Sequence, residues 1–254
     1  HELGTVPGKD GARVTDVKLP LDGQPIQGFS GIKAMNDGTF WTLSDNGFGS
    51  KANSADAMLF LHQVKFDWAT NRVEIVKNIF LSDPNRLAPF PIAMEGSEKR
   101  YLTGADFDIE SIQPVADGFW LGDEFGPYLI KVDALGQLTD VVSTSVNGKP
   151  VMSPDNPTLA VPANPTAKMP VFNLKRSGGY EGMAMSKDGT KLYGMLEGPL
   201  FLEDGKVEQA DGRTALRVIE FDVASKSWTG RSWLYPLAEK GVAIGDFNML
   251  DATT

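Results

Sequence analysis

Hydrophobic and polar residues alternate along this chain in short runs, and these runs predict β-strands. The alternation is clearest in Arg72–Val76 and in Leu216–Phe221, where β-branched and aromatic residues are also frequent. A period of two is typical of strands that bury one face. Asp-Gly pairs and other turn residues separate successive runs, as expected for antiparallel hairpins. The pattern therefore predicts an all-β fold.

One local motif occurs three times and divides the predicted strands into groups of four. Each copy has a short first strand, an Asp-Gly turn, a second strand with an aromatic residue, and an acidic turn. The copies begin at Phe29, Ile109 and Tyr180, and a fourth begins at Phe247. Consecutive four-stranded antiparallel meanders are typical of β-propeller blades, so we predict a propeller rather than a β-sandwich.

The repeats also predict how the chain is divided. We expect a single propeller domain over residues 1–254, with blades at about 28–82, 104–146 and 178–236 and the start of a fourth at 246. The innermost strand of the fourth blade is predicted at Phe247–Leu250. An outer strand is predicted at Ala12–Leu19.

The predicted ring is incomplete. About three blades cannot close the ring of a propeller, because propellers typically have roughly four blades or more. We therefore expect this sequence to be the N-terminal part of a longer protein, with the remaining blades supplied by a missing C-terminal part or by another chain. Two proline-rich insertions, at about residues 82–103 and 147–176, are expected to form long loops over one face.

Charge and composition exclude several classes of function. The chain has 24 Lys and Arg against 33 Asp and Glu, a net charge of −9, and no cysteine. Nucleic acid or an anionic membrane would need a basic face, and disulfides or thiolate metal sites would need cysteine. No apolar run approaches the roughly 20 residues that span a bilayer, so no transmembrane segment is predicted. The sequence begins with His1 and not with Met, which suits a processed secretory product or a trimmed chain equally well, and we expect a periplasmic or secreted protein.

Acidic residues provide the main candidates for chemistry. Asp106, Asp108 and Glu110 alternate in sequence, so in an extended strand their carboxylates would share one face. Like charges that are close together need a cation or basic groups to neutralise them, and oxygen ligands suit calcium or magnesium. An acidic edge that is exposed to solvent and binds no metal is the alternative.

Further acids recur at the ends of the second strands and at the start of the third copy. In a radial arrangement of blades they would converge on the central channel with Glu110, although turn formation alone is the alternative for the Asp positions. The full set of predicted metal ligands is Asp45, Asp106, Asp108, Glu110, Asp123, Glu124, Glu181 and Glu197.

No nucleophilic triad is evident, because His62 is the only histidine apart from His1 and lies in a predicted strand. A metal-bound water is therefore the expected nucleophile, with Glu110 and Glu181 as catalytic carboxylates. Arg176, with its neighbour Lys175, lies just before the third acidic motif and could receive a small anionic ester substrate. Simple charge balance is the alternative for this basic pair.

Three segments of the chain resemble the motifs of the esterase-like phytase family of bacterial proteins. They are residues 103–110 (TGADFDIE), 119–127 (FWLGDEFGP) and 179–184 (GYEGMA). The resemblance extends from about Gly28 to the C-terminus. It implies a secreted or periplasmic β-propeller that acts as a phytase-like or esterase-like hydrolase and uses calcium. Members of this family typically continue with further blades, in agreement with the incomplete ring.

Three functions remain open from the sequence. The first is a metal-dependent hydrolase of phosphate or carboxylic esters. The second is a non-catalytic propeller in which a metal only stabilises the channel and the loops bind a ligand or a protein. The third is a calcium-dependent lactonase-like enzyme, which would use similar acids but would favour an apolar substrate pocket without the lysine and arginine.

Overall fold

The computed structural model describes residues 23–26, 28–159, 164, 171–241 and 243–250. Within this part of the chain nearly all regular structure is β-strand, and the helical structure is one 3-10 turn at Lys51–Asn53. The strands form three larger antiparallel sheets, each built on a four-stranded meander, and one separate two-stranded hairpin. The predicted all-β class and four-stranded meanders are therefore confirmed.

The first two sheets keep the order of the chain. The first sheet consists of β1 (Phe29–Ala34), β2 (Phe40–Ser44), β3 (Phe60–Asp67) and β4 (Arg72–Phe80). The second consists of β5 (Ile109–Val115), β6 (Gly118–Asp123), β7 (Tyr128–Asp133) and β8 (Leu138–Ser143).

The third sheet is preceded by a short hairpin of β9 (Ser145–Val146) and β10 (Lys149–Pro150). Its meander consists of β11 (Tyr180–Met185), β12 (Lys191–Leu196), β14 (Arg213–Asp222) and β15 (Ser227–Pro236). The short β13 (Gln209–Ala210) also pairs with β14.

One predicted strand does not form, and another lies outside the described residues. Phe247–Leu250, predicted as the first strand of a fourth blade, has no strand pairing. Instead, the Asp246 carboxylate accepts hydrogen bonds from the Phe247 N–H at 2.7 Å and from the Asn248 side-chain amide at 2.9 Å. These hydrogen bonds use the Phe247 N–H and the Asn248 side-chain amide within the segment itself. The predicted outer strand Ala12–Leu19 lies outside the described residues.

The sheets pack face to face in chain order. Trp41 of the first sheet contacts Phe119 of the second, with ring centroids 4.7 Å apart, and Trp120 contacts Phe221 of the third at 5.1 Å. Because neighbouring residues in a strand face opposite sides, Phe119 and Trp120 point to the two different neighbours. The second sheet is therefore covered on both faces, and all of β6 is buried.

The face of the first sheet that is turned away from the second sheet is open. Ile32 on this face is 46% exposed, whereas Ile112, at the same place in the second sheet, is 3% exposed. This difference leaves an apolar surface beside the first strand.

Candidate functional site

The first strand of each sheet has a β-bulge near its start, one residue later in the first sheet than in the other two. The pairing of β1 with β2, of β5 with β6 and of β11 with β12 shifts by one residue there. The residue skipped by the pairing is Gly31, Glu110 or Glu181, respectively. Because a bulge redirects side chains away from the regular alternation, it places the two glutamates in equivalent, non-strand-like positions.

A repeated backbone hydrogen bond fixes the acid that follows the second strand. The N–H groups of Asp45, Glu124 and Glu197 donate to the carbonyl oxygens of Gly28, Asp108 and Gly179, at 2.9, 2.8 and 2.8 Å. Each acceptor directly precedes the first strand of its own sheet. The acid after the second strand therefore lies beside the bulge of the first strand.

Asp108, Glu110 and Glu124 form the centre of the site, and we call them the acidic triad. One carboxylate oxygen from each lies within 4.8 Å of the other two. Asp108 and Glu124 are buried, and Glu110 is half-buried. Three carboxylates at this spacing repel one another unless protons or a cation neutralise them.

Asp108 is held in place by two neighbours. The Asn46 backbone N–H and side-chain amide donate to its two carboxylate oxygens, at 3.2 and 2.8 Å. The Asp108 N–H in turn donates to the Asp123 carboxylate at 2.9 Å. Asn46 belongs to the loop after β2, so the first sheet helps to position an acid of the second.

Glu124 has a carboxylate oxygen without a hydrogen-bond partner among the described residues. The residue is only 5% exposed, and this oxygen, Oε1, is buried. A buried acceptor without a partner is unfavourable, so this oxygen is available to a ligand that carries positive charge or a proton. The all-oxygen donor set of the acidic triad fits a hard divalent cation such as calcium or magnesium.

The electrostatics of the site favour neutralisation. Burial raises the pKa of Glu110 and of Glu124 to about 9 each, and the charge of Asp108 is the second cause in both cases. Burial also raises the pKa of Asp108. Burial, followed by the charge of Glu197, raises the pKa of Glu181 to about 7.

Several predicted acids surround the acidic triad. Burial and then neighbouring charges raise the pKa of Glu124, and Glu197 and Glu181 are among those charges. After burial and hydrogen bonds from Asn46, the charge of Asp45 contributes to the pKa of Asp108. The structure therefore brings Asp45, Glu181 and Glu197 close to the triad.

The prediction that Asp106, Asp108 and Glu110 share one face of a strand is wrong. The strand begins only at Ile109, and Asp106 lies in a turn. The Asp106 carboxylate accepts hydrogen bonds from the N–H groups of Thr103 and Ala93, at 2.8 and 2.7 Å. These bonds fix the turn, and Asp106 is not one of the three clustered acids.

Asp123 supports the site in a similar way. It is fully buried, and its two oxygens accept hydrogen bonds from the N–H groups of Asp108 and Gly126, at 2.9 and 2.7 Å. Burial raises its pKa to about 7. Its contacts make it a support for Asp108.

The basic residues near the site pair with other acids. Lys175 lies 2.6 Å from Glu197, and Arg176 forms an ion pair with Asp155. The Lys51 ammonium donates to the Asp155 carbonyl at 3.1 Å. The role predicted for Arg176 in receiving an anionic substrate stays a prediction.

His62 packs among residues of the first sheet. Its ring is buried and lies 3.0 Å from the Ser44 hydroxyl and 2.8 Å from the Asn78 side-chain oxygen. Burial lowers its pKa. These contacts are those of a packed histidine.

Two residues of the site were not singled out from the sequence. Asn46 contacts Asp108 from a different sheet, and no local pattern indicates that contact. Asp246 adds to the causes that raise the pKa of Glu181, after burial and the charges of Glu197 and Asp108. The repeated motif does point to Asp246. It directly precedes Phe247, where the fourth copy begins, as Asp108 directly precedes Ile109, where the second copy begins.

Comparison with known proteins gives one family match. The family model described as phytase-like, esterase-like activity of phytase, matches residues 24–254. An uncharacterized secreted protein of Arthroderma benhamiae is 29% identical over 125 residues, which cover 46% of this chain and 24% of that protein. The matched part of this chain thus spans about a quarter of that relative.

Similarity to solved structures is weak, as two of them illustrate. Hydrazine synthase of Kuenenia stuttgartiensis gives a TM-score of 0.31 at 12% identity, covering 89% of this chain and 53% of that one. Sqt1 of Saccharomyces cerevisiae gives a TM-score of 0.29 at 10% identity, covering 79% and 60%. These scores are too low to assign the fold. Among the described residues, no helix has the length and apolar character needed to cross a membrane.

Proposed function

Because this chain belongs to the phytase-like family with esterase-like activity, we propose that it is an ester hydrolase that depends on a divalent cation. The observation that carries this proposal is the unpaired, buried Oε1 of Glu124 within the acidic triad. Calcium or magnesium would be held by Asp108, Glu110 and Glu124. When bound, such a cation would polarise the ester and lower the pKa of water.

Residues around the triad would prepare it for this role. Asn46 and Asp123 orient Asp108 through hydrogen bonds to its side chain and its backbone. Supporting hydrogen bonds of this kind strengthen cation binding by fixing the ligand geometry. Asp45, Glu181 and Glu197 add negative charge that would favour a cation over a neutral ligand.

Glu181 is the best candidate for proton transfer. It lies at a bulge, is half-buried, and has a pKa raised to about 7, chiefly by burial. A carboxylate with a pKa near the working pH can both accept and release a proton. In hydrolysis, the oxygen of water would bond to the acyl carbon or to phosphorus. The bond to the alcohol oxygen would break, and Glu181 would pass the proton of water to that oxygen.

The architecture that would hold this site is a β-propeller, with the acids near its axis. The repeated bulge and the repeated backbone bond support this proposal, because both place equivalent residues at the inner end of each sheet. The description of the Arthroderma benhamiae relative as a secreted protein supports secretion of this chain as well.

A cation at the triad could instead serve only to stabilise the fold. The observation that favours this second candidate is the deep burial of Asp108 and Glu124, which restricts access to the site. The two candidates differ in turnover and not in cation binding.

The proposed function is tested by hydrolysis assays on the purified protein with p-nitrophenyl acetate and p-nitrophenyl phosphate. We expect turnover of at least one substrate, loss of that turnover with a chelator, and recovery with calcium or magnesium. Glu124→Gln should lower turnover by about 100-fold, the order found when a metal site is impaired. Glu220→Gln, at a buried glutamate in the third sheet, is the matched control. Cation binding without turnover would support the stabilising role, and turnover insensitive to the chelator would contradict the proposal.

A further inference from the structure

A groove lies between the open face of the first sheet and the segment at 243–250. Its volume is about 500 Å³, within the range of roughly 300 to 1,000 Å³ found for small-molecule sites. Five apolar side chains line it: Phe29, Ile32, Val64, Phe66 and Val73. The groove is therefore apolar along most of its length.

The groove has an acidic end beside the candidate site. Glu181 and Asp246 line it together with Ser30. Burial raises the pKa of Glu110, and a hydrogen bond from the Ser30 side chain opposes that rise. Because Ser30 contacts a member of the acidic triad and also lines the groove, the groove lies next to the triad.

Charge selects the kind of ligand that fits. Among the described residues that line the groove there is no lysine or arginine. An anionic group would meet the like charges of Glu181 and Asp246 in the lining, while Lys33 and Lys175, whose charges act on these two acids, lie outside the lining. An apolar chain would instead cover the exposed side chains of Phe29, Ile32 and Val73.

We propose that this groove binds the acyl chain of a neutral carboxylic ester, with the ester carbonyl at the acidic end beside Glu181. The inference rests on the proposed ester hydrolysis and narrows it, since it favours carboxylic esters over phosphate esters. Chain length would then determine specificity, because each further methylene finds apolar surface in the groove.

Protein could also cover this face. Ile112, at the place in the second sheet that Ile32 has in the first, is buried. A further β-sheet or a second copy of this chain would bury Ile32 in the same way. The test must therefore separate an acyl chain from a protein neighbour.

The test compares kcat/KM for p-nitrophenyl acetate, butyrate and octanoate, and for p-nitrophenyl phosphate. We expect octanoate to exceed acetate by about tenfold or more and phosphate to be the poorest substrate. Ile32→Trp, which fills the groove, should lower the ratio of kcat/KM for octanoate to kcat/KM for acetate to about one. Leu135→Trp, at an exposed apolar residue outside the groove, is the control and should change neither.

Several outcomes would overturn the inference. One is an equal rate for all chain lengths, and another is a preference for octanoate that Ile32→Trp leaves intact. A wild-type oligomer that Ile32→Trp dissociates, measured by light scattering, would show that protein covers the face. If no substrate is turned over, the proposed function fails. Calorimetry with the non-hydrolysable p-nitrophenyl octyl ether then tests binding in the groove without turnover. Binding by the wild type that is lost in Ile32→Trp would support the inference, and no binding by the wild type would overturn it.

Discussion

The side-chain amide of Asn46 donates to the carboxylate of Asp108 at 2.8 Å, and the two residues lie 62 positions apart in the sequence. Asn46 follows the second strand of the first sheet, and Asp108 precedes the first strand of the second sheet. The hydrogen bond therefore joins two sheets at the acidic triad. It fixes the direction of one carboxylate that would bind a cation.

Replacing Asn46 by alanine is expected to weaken cation binding. The variant Asn46→Ala removes the amide that orients Asp108, and losses of support of this kind reduce metal affinity by about 10- to 100-fold. Isothermal titration calorimetry with calcium and with magnesium measures the effect. Asn53→Ala, at an exposed residue of the neighbouring 3-10 turn, should bind as the wild type does. Equal affinity of Asn46→Ala and wild type would show that the Asn46 amide does not support cation binding.

Replacing Glu124 by glutamine is expected to separate the cost of burying this carboxyl group from the benefit of the cation. With a chelator present at pH 7, Glu124→Gln should be at least as stable as the wild type, because burial raises the pKa of Glu124 to about 9 and the wild type must take up a proton there on folding, whereas glutamine is already neutral. With calcium at 100 times its Kd, the wild type should gain about 2.7 kcal/mol and the variant less.

Denaturant unfolding with and without calcium measures both effects. Glu220→Gln is the control at a buried glutamate outside the triad. The expectation fails if calcium stabilises Glu124→Gln and the wild type by the same amount.

His62 is expected to make the fold less stable in acid. Burial holds its pKa below the ordinary value of 6.5, so the unfolded chain binds a proton more readily than the folded one. The stability that the neutral His62 ring contributes to the fold is complete above pH 6.5. It is lost as the pH falls through the pKa of His62 in the folded state. The contacts of the ring are Ser44, Asn78, Phe29 and Phe60, and none of them is titratable in this range.

The free energy of unfolding, measured between pH 7.5 and pH 5, tests this expectation. Its fall should be steeper in the wild type than in His62→Gln, which cannot take up a proton. Parallel pH profiles of the two proteins would show that His62 does not contribute.

Replacing Gly179 by alanine is expected to disturb the acidic triad from a distance. An added Cβ at Gly179 would lie 2.4 Å from the Cα of Glu124 and 2.7 Å from the carbonyl oxygen of Asp123. Both are backbone atoms, so the strand end that carries Glu124 must move. We expect a loss of about 1 to 3 kcal/mol in the free energy of unfolding, together with weaker calcium binding.

Gly96→Ala is the matched control for this variant, because an added Cβ there meets no atom within 4 Å. Its stability should stay within about 0.5 kcal/mol of the wild type. An unchanged calcium affinity in Gly179→Ala would show that the position of Glu124 does not govern the site.

The strands were predictable from the sequence because their signals are local. The alternation in Arg72–Val76 and the Asp-Gly turns depend on residues that are close together in the chain, and the observed strands agree with them. The gathering of acids was predictable as well, because Glu110 and Glu181 occupy equivalent places in a repeat.

The geometry at the start of β5 was not predictable in the same way. Acids at alternate positions, as in Asp106, Asp108 and Glu110, are compatible with a regular strand and also with a turn followed by a bulge. The distinction depends on the hydrogen bonds from Ala93 and Thr103 to Asp106 and on the register with β6. The contact of Asn46 with Asp108 also depends on how two sheets pack.

The hydrogen bond from the acid after each second strand to the carbonyl before each first strand uses main-chain atoms only. Any side chain except proline at the donor position would keep it, whereas the acceptor position of the third sheet requires glycine, because an added Cβ at Gly179 would lie 2.4 Å from the Cα of Glu124. The acceptor is glycine in the first and third sheets and Asp108 in the second, and the bond has nearly the same length in all three. The backbone hydrogen bond that positions the site therefore does not depend on the side chain at the donor position. The acid after the second strand can be replaced in each sheet while the chain retains its fold.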